Sequence, residues 1–135
     1  MEVIDIKKIL IIEDDPSYLK LLNDQLTKNG YEIVNAKDGR EGLATALSHH
    51  PDLIILDIKM PVMDGIAMLG ELRKNEYGKS AKVVILTNLE PNDKILRKVL
   101  EDLPMHYLVK SDIQLNELLE KIKEVLFPEK KSKKI

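Results

Sequence analysis

The chain has no cysteine and no tryptophan, and phenylalanine occurs only once among its 135 residues. Without cysteine, no disulfide can form. Long hydrophobic runs are also missing: the longest uninterrupted apolar stretches, such as Leu53–Leu56, have about four residues, against the roughly 20 that a membrane span requires. The N-terminus, Met-Glu-Val-Ile-Asp-Ile, lacks the basic flank and apolar core of a secretory signal. These absences predict a cytoplasmic protein without membrane insertion.

A strong positive charge is missing too. The formal net charge is −2, and residues 129–135 carry four lysines against one glutamate, so the body without this +3 segment has a charge of −5. Such a body is a poor match for a phosphate backbone, which argues against direct nucleic-acid binding. A chain of this length is a usual single-domain size. We therefore expect one domain over residues 1–128, followed by a basic, disordered tail at 129–135.

What the sequence does contain is an alternation of short apolar runs and longer amphipathic stretches. The runs predict strands at Lys8–Ile12, Tyr31–Asn35, Leu53–Leu56, Val83–Leu86 and Tyr107–Val109. Apolar residues at three- and four-residue spacing predict helices at Pro16–Lys28, Gly39–Ser48, Gly65–Lys74, Asn92–Leu103 and Gln114–Phe127. Strands separated by such helices run parallel with right-handed crossovers. The pattern predicts an α/β fold of the (βα)₅ type, with a doubly wound five-stranded parallel sheet.

Polar residues follow these strands at the edge where ligands bind in doubly wound folds. Glu13, Asp14 and Asp15 follow the first strand, and Asp57 follows the third. Thr87 and Lys110 follow the fourth and fifth strands. Clustered carboxylates repel one another and call for a cation, and hard oxygen ligands favour Mg²⁺ over zinc. A divalent ion beside a carboxylate, a hydroxyl and an amine suits phosphoryl transfer, with Asp57 as the nucleophile.

Four sequence blocks in this order resemble the receiver domains of two-component response regulators, over roughly residues 7–127. The blocks are Ile-Leu-Ile-Ile-Glu-Asp-Asp-Pro at 9–16, Asp-Leu-Ile-Ile-Leu-Asp-Ile-Lys-Met-Pro-Val-Met-Asp-Gly at 52–65, Leu-Thr at 86–87 and Tyr-Leu-Val-Lys at 107–110. The resemblance implies a flavodoxin-like sheet with strand order 2-1-3-4-5. It further implies that a sensor histidine kinase or phosphotransfer protein passes a phosphoryl group to Asp57. The resulting change of surface would then be read by a downstream protein target.

The resemblance also implies a role for each matching residue. Metal ligands would be Asp14, Asp57 and the backbone carbonyl of Lys59, with Glu13 acting through water. Asp15 is then left as the cap of the first helix, as its position before Pro16 also indicates. Lys110 would pair with the phosphoryl group and Thr87 would move to bond it. Tyr107 would swing inward with Thr87 as part of the switch; packing in a terminal strand is its other interpretation.

One residue departs from the family pattern. The residue after the phosphate-binding lysine is usually a proline joined through a cis bond, and here it is Ser111. Because a cis bond to a non-proline residue costs about 2.5–4 kcal/mol, we expect a trans bond. The spacing from Ser111 to Gln114 predicts a capping box, and therefore a remodelled loop with Lys110 still directed at Asp57.

Other function classes remain open at this point. A haloacid-dehalogenase-like phosphatase also uses a strand-end aspartate, but it needs a second acid two residues on, where this chain has Lys59. We therefore expect no enzyme beyond self-phosphorylation and self-dephosphorylation. A receiver that serves only as a binding module is the second alternative, although the key residues are all present. The chain resembles stand-alone, chemotaxis-type regulators, and a receiver excised from a longer regulator is the alternative.

Overall fold

The computed structural model describes residues 5–90, 97 and 106–128, and within this part of the chain five strands alternate with helices. The strands are Lys8–Ile12 (β1), Glu32–Ala36 (β2), Leu53–Leu56 (β3), Val83–Thr87 (β4) and His106–Val109 (β5). The helices are Pro16–Lys28 (α1), Gly39–His49 (α2), Gly65–Leu72 (α3), Glu76–Lys79 (α4) and Leu115–Leu126 (α5). The predicted helix at 92–103, apart from Arg97, and the predicted tail at 129–135 lie outside the described residues.

The five strands form one parallel sheet in the order β2-β1-β3-β4-β5, which confirms the predicted doubly wound architecture. β1 lies between β2 and β3, so that Ile9 pairs with Ile33 on one side and with Leu53 on the other. The order reverses at β1 and β3, and a ligand crevice is expected outside the carboxyl ends of these strands. Among the described helices, none is long and apolar enough to cross a membrane.

Alternate residues of the central strands point to opposite faces of the sheet, and both faces are covered. Leu10 and Ile12 of β1 pack in a cluster with residues of α2 and α3, whereas Ile9 and Ile11 pack with residues of α1 and α5. All four side chains have no exposed surface. Since each buried aliphatic side chain contributes roughly 1.5–3 kcal/mol, this double burial holds β1 rigidly and fixes the position of the residues that follow it.

Local capping chemistry sets several helix boundaries. Asp15 caps α1 by accepting a hydrogen bond from the Ser17 N–H, with Pro16 at the first helical position, as predicted. Asp38 accepts from the Glu41 N–H at the start of α2. The predicted end of α3 at Lys74 was wrong, because the helix stops at Leu72.

Val62, in the loop between β3 and α3, has an unusual backbone conformation. Its φ angle is +69°, a left-handed conformation that a β-branched residue adopts only under strain, and 68% of the residue is exposed. Replacing Val62 with asparagine, which tolerates this conformation, should raise the free energy of unfolding by about 1 kcal/mol while sacrificing little burial. Urea denaturation measures this change. Val62→Ala is the matched control: it removes the β-branch but lacks the short polar side chain that favours the left-handed conformation, so it should gain less. An unchanged or less stable Asn variant would contradict the assignment of strain.

Candidate functional site

The carboxyl ends of four parallel strands bring the predicted site residues to one edge of the sheet. Glu13 follows β1, Asp57 follows β3, Thr87 ends β4 and Lys110 follows β5. Three of them are buried although they are polar: Glu13 is 3% exposed, Asp57 7% and Thr87 1%. Buried polar groups are costly unless they are paired, so their concentration at a single edge marks a functional site.

Lys110 connects the two buried carboxylates. Its Nζ lies 2.7 Å from Glu13 Oε1 and 3.4 Å from Asp57 Oδ2, and it lies 4.4 Å from the centre of the Tyr18 ring. Burial lowers the pKa of Lys110, but the hydrogen bond to Glu13 and the charge of Asp57 outweigh it, so that the net pKa is raised. The amine therefore stays protonated at neutral pH and can neutralise additional negative charge.

Glu13 responds differently to the same surroundings. Burial raises its pKa, and the hydrogen bonds from Lys110 and the Asp15 N–H offset this effect only in part. The nearby charge of Asp57 raises the pKa further. The ion pair with Lys110 thus does not fully compensate Glu13 for the loss of water and the repulsion by a second carboxylate, and a further cation at this point would relieve both.

The geometry of the acidic cluster fits such a cation. Glu13, Asp14 and Asp57 each offer a carboxylate oxygen, and these oxygens all lie within 4.8 Å of one another. Asp14 is exposed at the mouth of the site, so that an ion could enter from solvent. A set of carboxylate oxygens suits Mg²⁺, which prefers hard oxygen ligands and keeps several of its waters. Asp15 points elsewhere, because its carboxylate caps α1.

The backbone around Asp57 is closely packed. The Asp57 N–H donates to the Ile12 carbonyl over 3.1 Å, and Asp57 Oδ1 accepts from the Ile58 N–H over 2.7 Å. Gly65 lies against the same segment, where a Cβ atom would stand 2.3 Å from the Asp57 carbonyl oxygen. A glycine is therefore required at the start of α3 if the Asp57 carboxylate is to keep its position.

Thr87 and Tyr107 are joined through Leu89. The Thr87 hydroxyl accepts a hydrogen bond from the Leu89 N–H over 3.3 Å, and the Tyr107 hydroxyl donates to the Leu89 carbonyl. Burial, with smaller contributions from the charges of Glu90 and Asp57, raises the pKa of Tyr107 to about 12. The tyrosine consequently remains a donor at physiological pH. A movement of Thr87 would be felt at Tyr107 through this short segment.

An open cavity of about 220 Å³ adjoins the Asp57 carboxylate, large enough for a phosphoryl group. Its lining consists of Asp57, Lys59, Thr87, Asn88, Leu89 and Lys110. Sequence reasoning predicted most of these residues for the site but did not single out Asn88. A residue following a strand-end threonine carries no distinctive spacing, and only its place in the fold reveals that it lines the cavity.

The segment after Lys110 is remodelled as predicted, but the residues that form the capping box are not the predicted ones. No cis peptide bond occurs among the described residues, so that the Lys110–Ser111 bond is trans, and Lys110–Asp112 forms a 3₁₀ turn. The predicted capping box from Ser111 to Gln114 was wrong. Gln114 itself caps α5, and its backbone N–H donates to the Glu117 carboxylate over 2.9 Å. The expectation that Lys110 points toward Asp57 is confirmed.

The sheet topology and the site together define a doubly wound α/β domain. Its acidic site, bridged by Lys110, lies at the carboxyl ends of the strands, where the strand order reverses. The family model for the response regulator receiver domain matches residues 9–123. The chain therefore belongs to the response regulator receiver domain family.

Curated relatives share the matched region and are longer than it. The chain is 40% identical over 89 residues to the DNA-binding dual master transcriptional regulator RpaA of Synechocystis sp., covering 65% of this chain and 37% of that protein. It is 41% identical over 70 residues to the alkaline phosphatase synthesis transcriptional regulatory protein PhoP of Bacillus subtilis, covering 52% of this chain and 29% of that protein. The chain thus matches about a third of the length of these relatives.

Solved structures match nearly the whole fold. The response regulator TrrA of Thermotoga maritima, in complex with Mg²⁺ and BeF, matches with a TM-score of 0.76 at 36% identity. The match covers 90% of this chain and 100% of the TrrA chain. A CheY-like receiver domain protein of Methanospirillum hungatei has a TM-score of 0.81 at 29% identity, covering 95% of this chain and 99% of that chain.

Proposed function

We propose that Asp57 accepts a phosphoryl group from the phosphohistidine of a sensor histidine kinase or phosphotransfer protein, with Mg²⁺ bound beside it. The observation that carries this proposal is the buried Asp57 carboxylate itself, which faces an open cavity with the Lys110 ammonium 3.4 Å from Oδ2. A carboxylate is a competent nucleophile toward phosphorus when a neighbouring cation neutralises the charge of the transferred group.

In the transfer, an Asp57 carboxylate oxygen forms a bond to phosphorus while the bond between phosphorus and the donor nitrogen breaks. The products are an aspartyl phosphate and the donor histidine, whose leaving nitrogen takes up a proton from solvent, so that the imidazole is neutral. Lys110 donates to a phosphoryl oxygen, which its raised pKa allows because the amine keeps its proton. Thr87, at the end of β4, can donate its O–H to another phosphoryl oxygen, because the hydrogen bond from the Leu89 N–H uses only the hydroxyl oxygen as acceptor.

Mg²⁺ would be held by Asp14, Asp57 and the backbone carbonyl of Lys59, with Glu13 acting through a bound water. The cluster of carboxylate oxygens supports this assignment, as does the Mg²⁺ in the TrrA complex. When bound, the ion neutralises charge on the phosphoryl oxygens. Glu13 and Lys110 then hold one another in position at 2.7 Å, so that the ammonium stays beside Asp57.

The output of this domain would be a change at its surface. Thr87 and Tyr107 are the switch residues in this proposal, because the Thr87–Leu89–Tyr107 hydrogen bonds give a direct route from the site to β5. The recipient would be a downstream protein target. Residues 1–128 would form the receiver and 129–135 a basic tail, and a cytoplasmic location follows from the need for a kinase supplied with ATP.

A turnover phosphatase is disfavoured by one specific residue. Such an enzyme needs a second acid two residues after the nucleophile, and this position holds Lys59, which lines the cavity. Without a general base, the aspartyl phosphate should persist. The chain is, on this proposal, a signalling domain that catalyses only its own phosphorylation and dephosphorylation.

Labelling with acetyl phosphate, with and without Mg²⁺, tests the proposal. We expect slow uptake that stops at one phosphoryl group per chain, requires Mg²⁺ and is removed by hydroxylamine, as an acyl phosphate is. Mass spectrometry of the intact protein measures the stoichiometry. Continued release of phosphate would instead indicate a phosphatase, and no uptake would indicate a binding module.

The phosphorylated state is expected to be comparatively long-lived. Leu89 and Lys59 line the cavity beside Asp57, where Leu89 obstructs an attacking water and Lys59 supplies a cation without a base. Leu89→Asn and Lys59→Asn should each speed dephosphorylation severalfold, as followed by the decay of the labelled protein. Leu21→Asn and Lys79→Asn are matched exposed controls and should leave the decay unchanged. Equal decay rates in all variants would refute steric and electrostatic tuning at these two positions.

A further inference from the structure

Ser111 makes a hydrogen bond that a proline at this position could not make. Its backbone N–H donates to the side-chain oxygen of Asn88 over 3.1 Å, although the two residues are 23 positions apart. Proline has no N–H, so this bond depends on the departure from the family pattern noted in the sequence. Both partners are exposed, so that the bond does not serve to satisfy buried polar groups.

The bond extends the pairing of two strands beyond the sheet. In the β4–β5 ladder the last paired residues are Thr87 and Val109. Asn88 and Lys110 come next on each strand, where the ladder has ended and β5 has turned into the 3₁₀ segment. The Asn88 side chain thus reaches across to the first peptide after Lys110 and holds the loop that carries the ammonium against the loop that carries Thr87.

This anchoring matters because Lys110 reaches the site through a long flexible side chain. Its Nζ must approach Glu13, Asp57 and the Tyr18 ring at once. A displacement of its backbone would shift all three contacts together, and small misplacements of charged groups are costly in catalysis.

We propose that Asn88 is a positioning residue for phosphoryl transfer: through the Ser111 N–H it holds the backbone of Lys110 so that the ammonium reaches Asp57. This inference rests on the proposed function, since it explains how Lys110 is held near Asp57 when Ser111 replaces the proline that usually follows the lysine in the family. Asn88 also lines the cavity, but its role here is exerted through Ser111 and not through the phosphoryl group.

The first test is the rate of labelling by acetyl phosphate at saturating Mg²⁺. Asn88→Ala should lower this rate about fivefold, the change that corresponds to the loss of one hydrogen bond of ordinary net strength. Asn23→Ala is the matched control: Asn23 exchanges hydrogen bonds with Asn35, away from the site, and its loss should leave the rate unchanged. An Asn88→Ala rate equal to that of the wild type would overturn the proposal.

A double-mutant cycle decides whether Asn88 acts through Ser111. Ser111→Pro removes the donor, so that Asn88→Ala made in the Ser111→Pro chain should change the rate by less than about twofold, the scatter of independent pairs. A fivefold loss that persists in the proline background would mean that Asn88 acts on the cavity directly, and would overturn the positioning role.

Nuclear magnetic resonance tests the same inference without any phosphorylation. The Ser111 amide should exchange with solvent faster in Asn88→Ala than in the wild type. The Lys110 ε-methylene protons, which lie near the Tyr18 ring, should lose part of their ring-current shift. If the wild type takes up no phosphoryl group, the proposed function fails while these two measurements still decide the placement of Lys110. An unchanged ring-current shift in Asn88→Ala would overturn the inference.

Discussion

Replacing Asp57 with asparagine is expected to abolish labelling by acetyl phosphate and to leave the chain folded. The amide lacks the nucleophilic oxygen that forms the acyl phosphate, yet its carbonyl oxygen can still accept the hydrogen bond from the Ile58 N–H. The change also removes one of three neighbouring carboxylates whose oxygens lie within 4.8 Å of one another. The variant also loses the 3.4 Å ion pair with Lys110, but that ammonium keeps its closer partner Glu13 at 2.7 Å. Without Mg²⁺ the variant should therefore be at least as stable as the wild type, because the lost repulsion offsets the lost ion pair.

Two measurements check this expectation together. Intact mass after incubation with the phosphodonor should show no added phosphoryl group, and thermal unfolding without metal should show an equal or higher midpoint. Asp38→Asn is a suitable control, because Asp38 caps α2 and asparagine caps a helix equally well. It should be labelled normally. Labelling of Asp57→Asn to the wild-type level would show that the acceptor is another residue.

The sequence predicts the sheet well because its signal is local and repeated. β1 and β3 are continuous apolar runs covered on both faces, and their predicted bounds agree with the structure. β2 begins one residue later than predicted, at Glu32, because Tyr31 is still tied to α1: its N–H donates to the Leu26 carbonyl. The Glu32 N–H donates to the Lys7 carbonyl, and the pairing of β2 with β1 starts at Glu32. Such a boundary depends on contacts that periodicity does not contain.

The site residues were predictable for a related reason. The rule that parallel strands end at one edge, together with the family resemblance, brings Glu13, Asp57 and Lys110 together, and the structure places them in contact. The Asn88–Ser111 hydrogen bond could not be predicted. It joins two loops through a side chain and a backbone N–H, and neither partner has a spacing that announces it.

Asp14 is a direct Mg²⁺ ligand in the proposed site. Asp14→Ala should weaken Mg²⁺ binding by at least about tenfold, since it removes a direct carboxylate ligand and even the loss of a supporting group costs that much. Asp14 is exposed, so that the fold should tolerate the change. The chain has no tryptophan to report on the site, and calorimetric titration with Mg²⁺ is therefore the direct measurement.

Asp15 provides the decisive control, because it is the next residue and carries the same carboxylate. Its side chain accepts the Ser17 N–H and caps α1, so that Asp15→Ala should cost about 1 kcal/mol of stability through the lost cap. Its Mg²⁺ titration should match that of the wild type. Asp14→Ala should therefore lose Mg²⁺ affinity and keep its stability, whereas Asp15→Ala should keep its Mg²⁺ affinity and lose stability. If Asp15→Ala weakened Mg²⁺ binding and Asp14→Ala did not, the ion would lie on the other side of this turn.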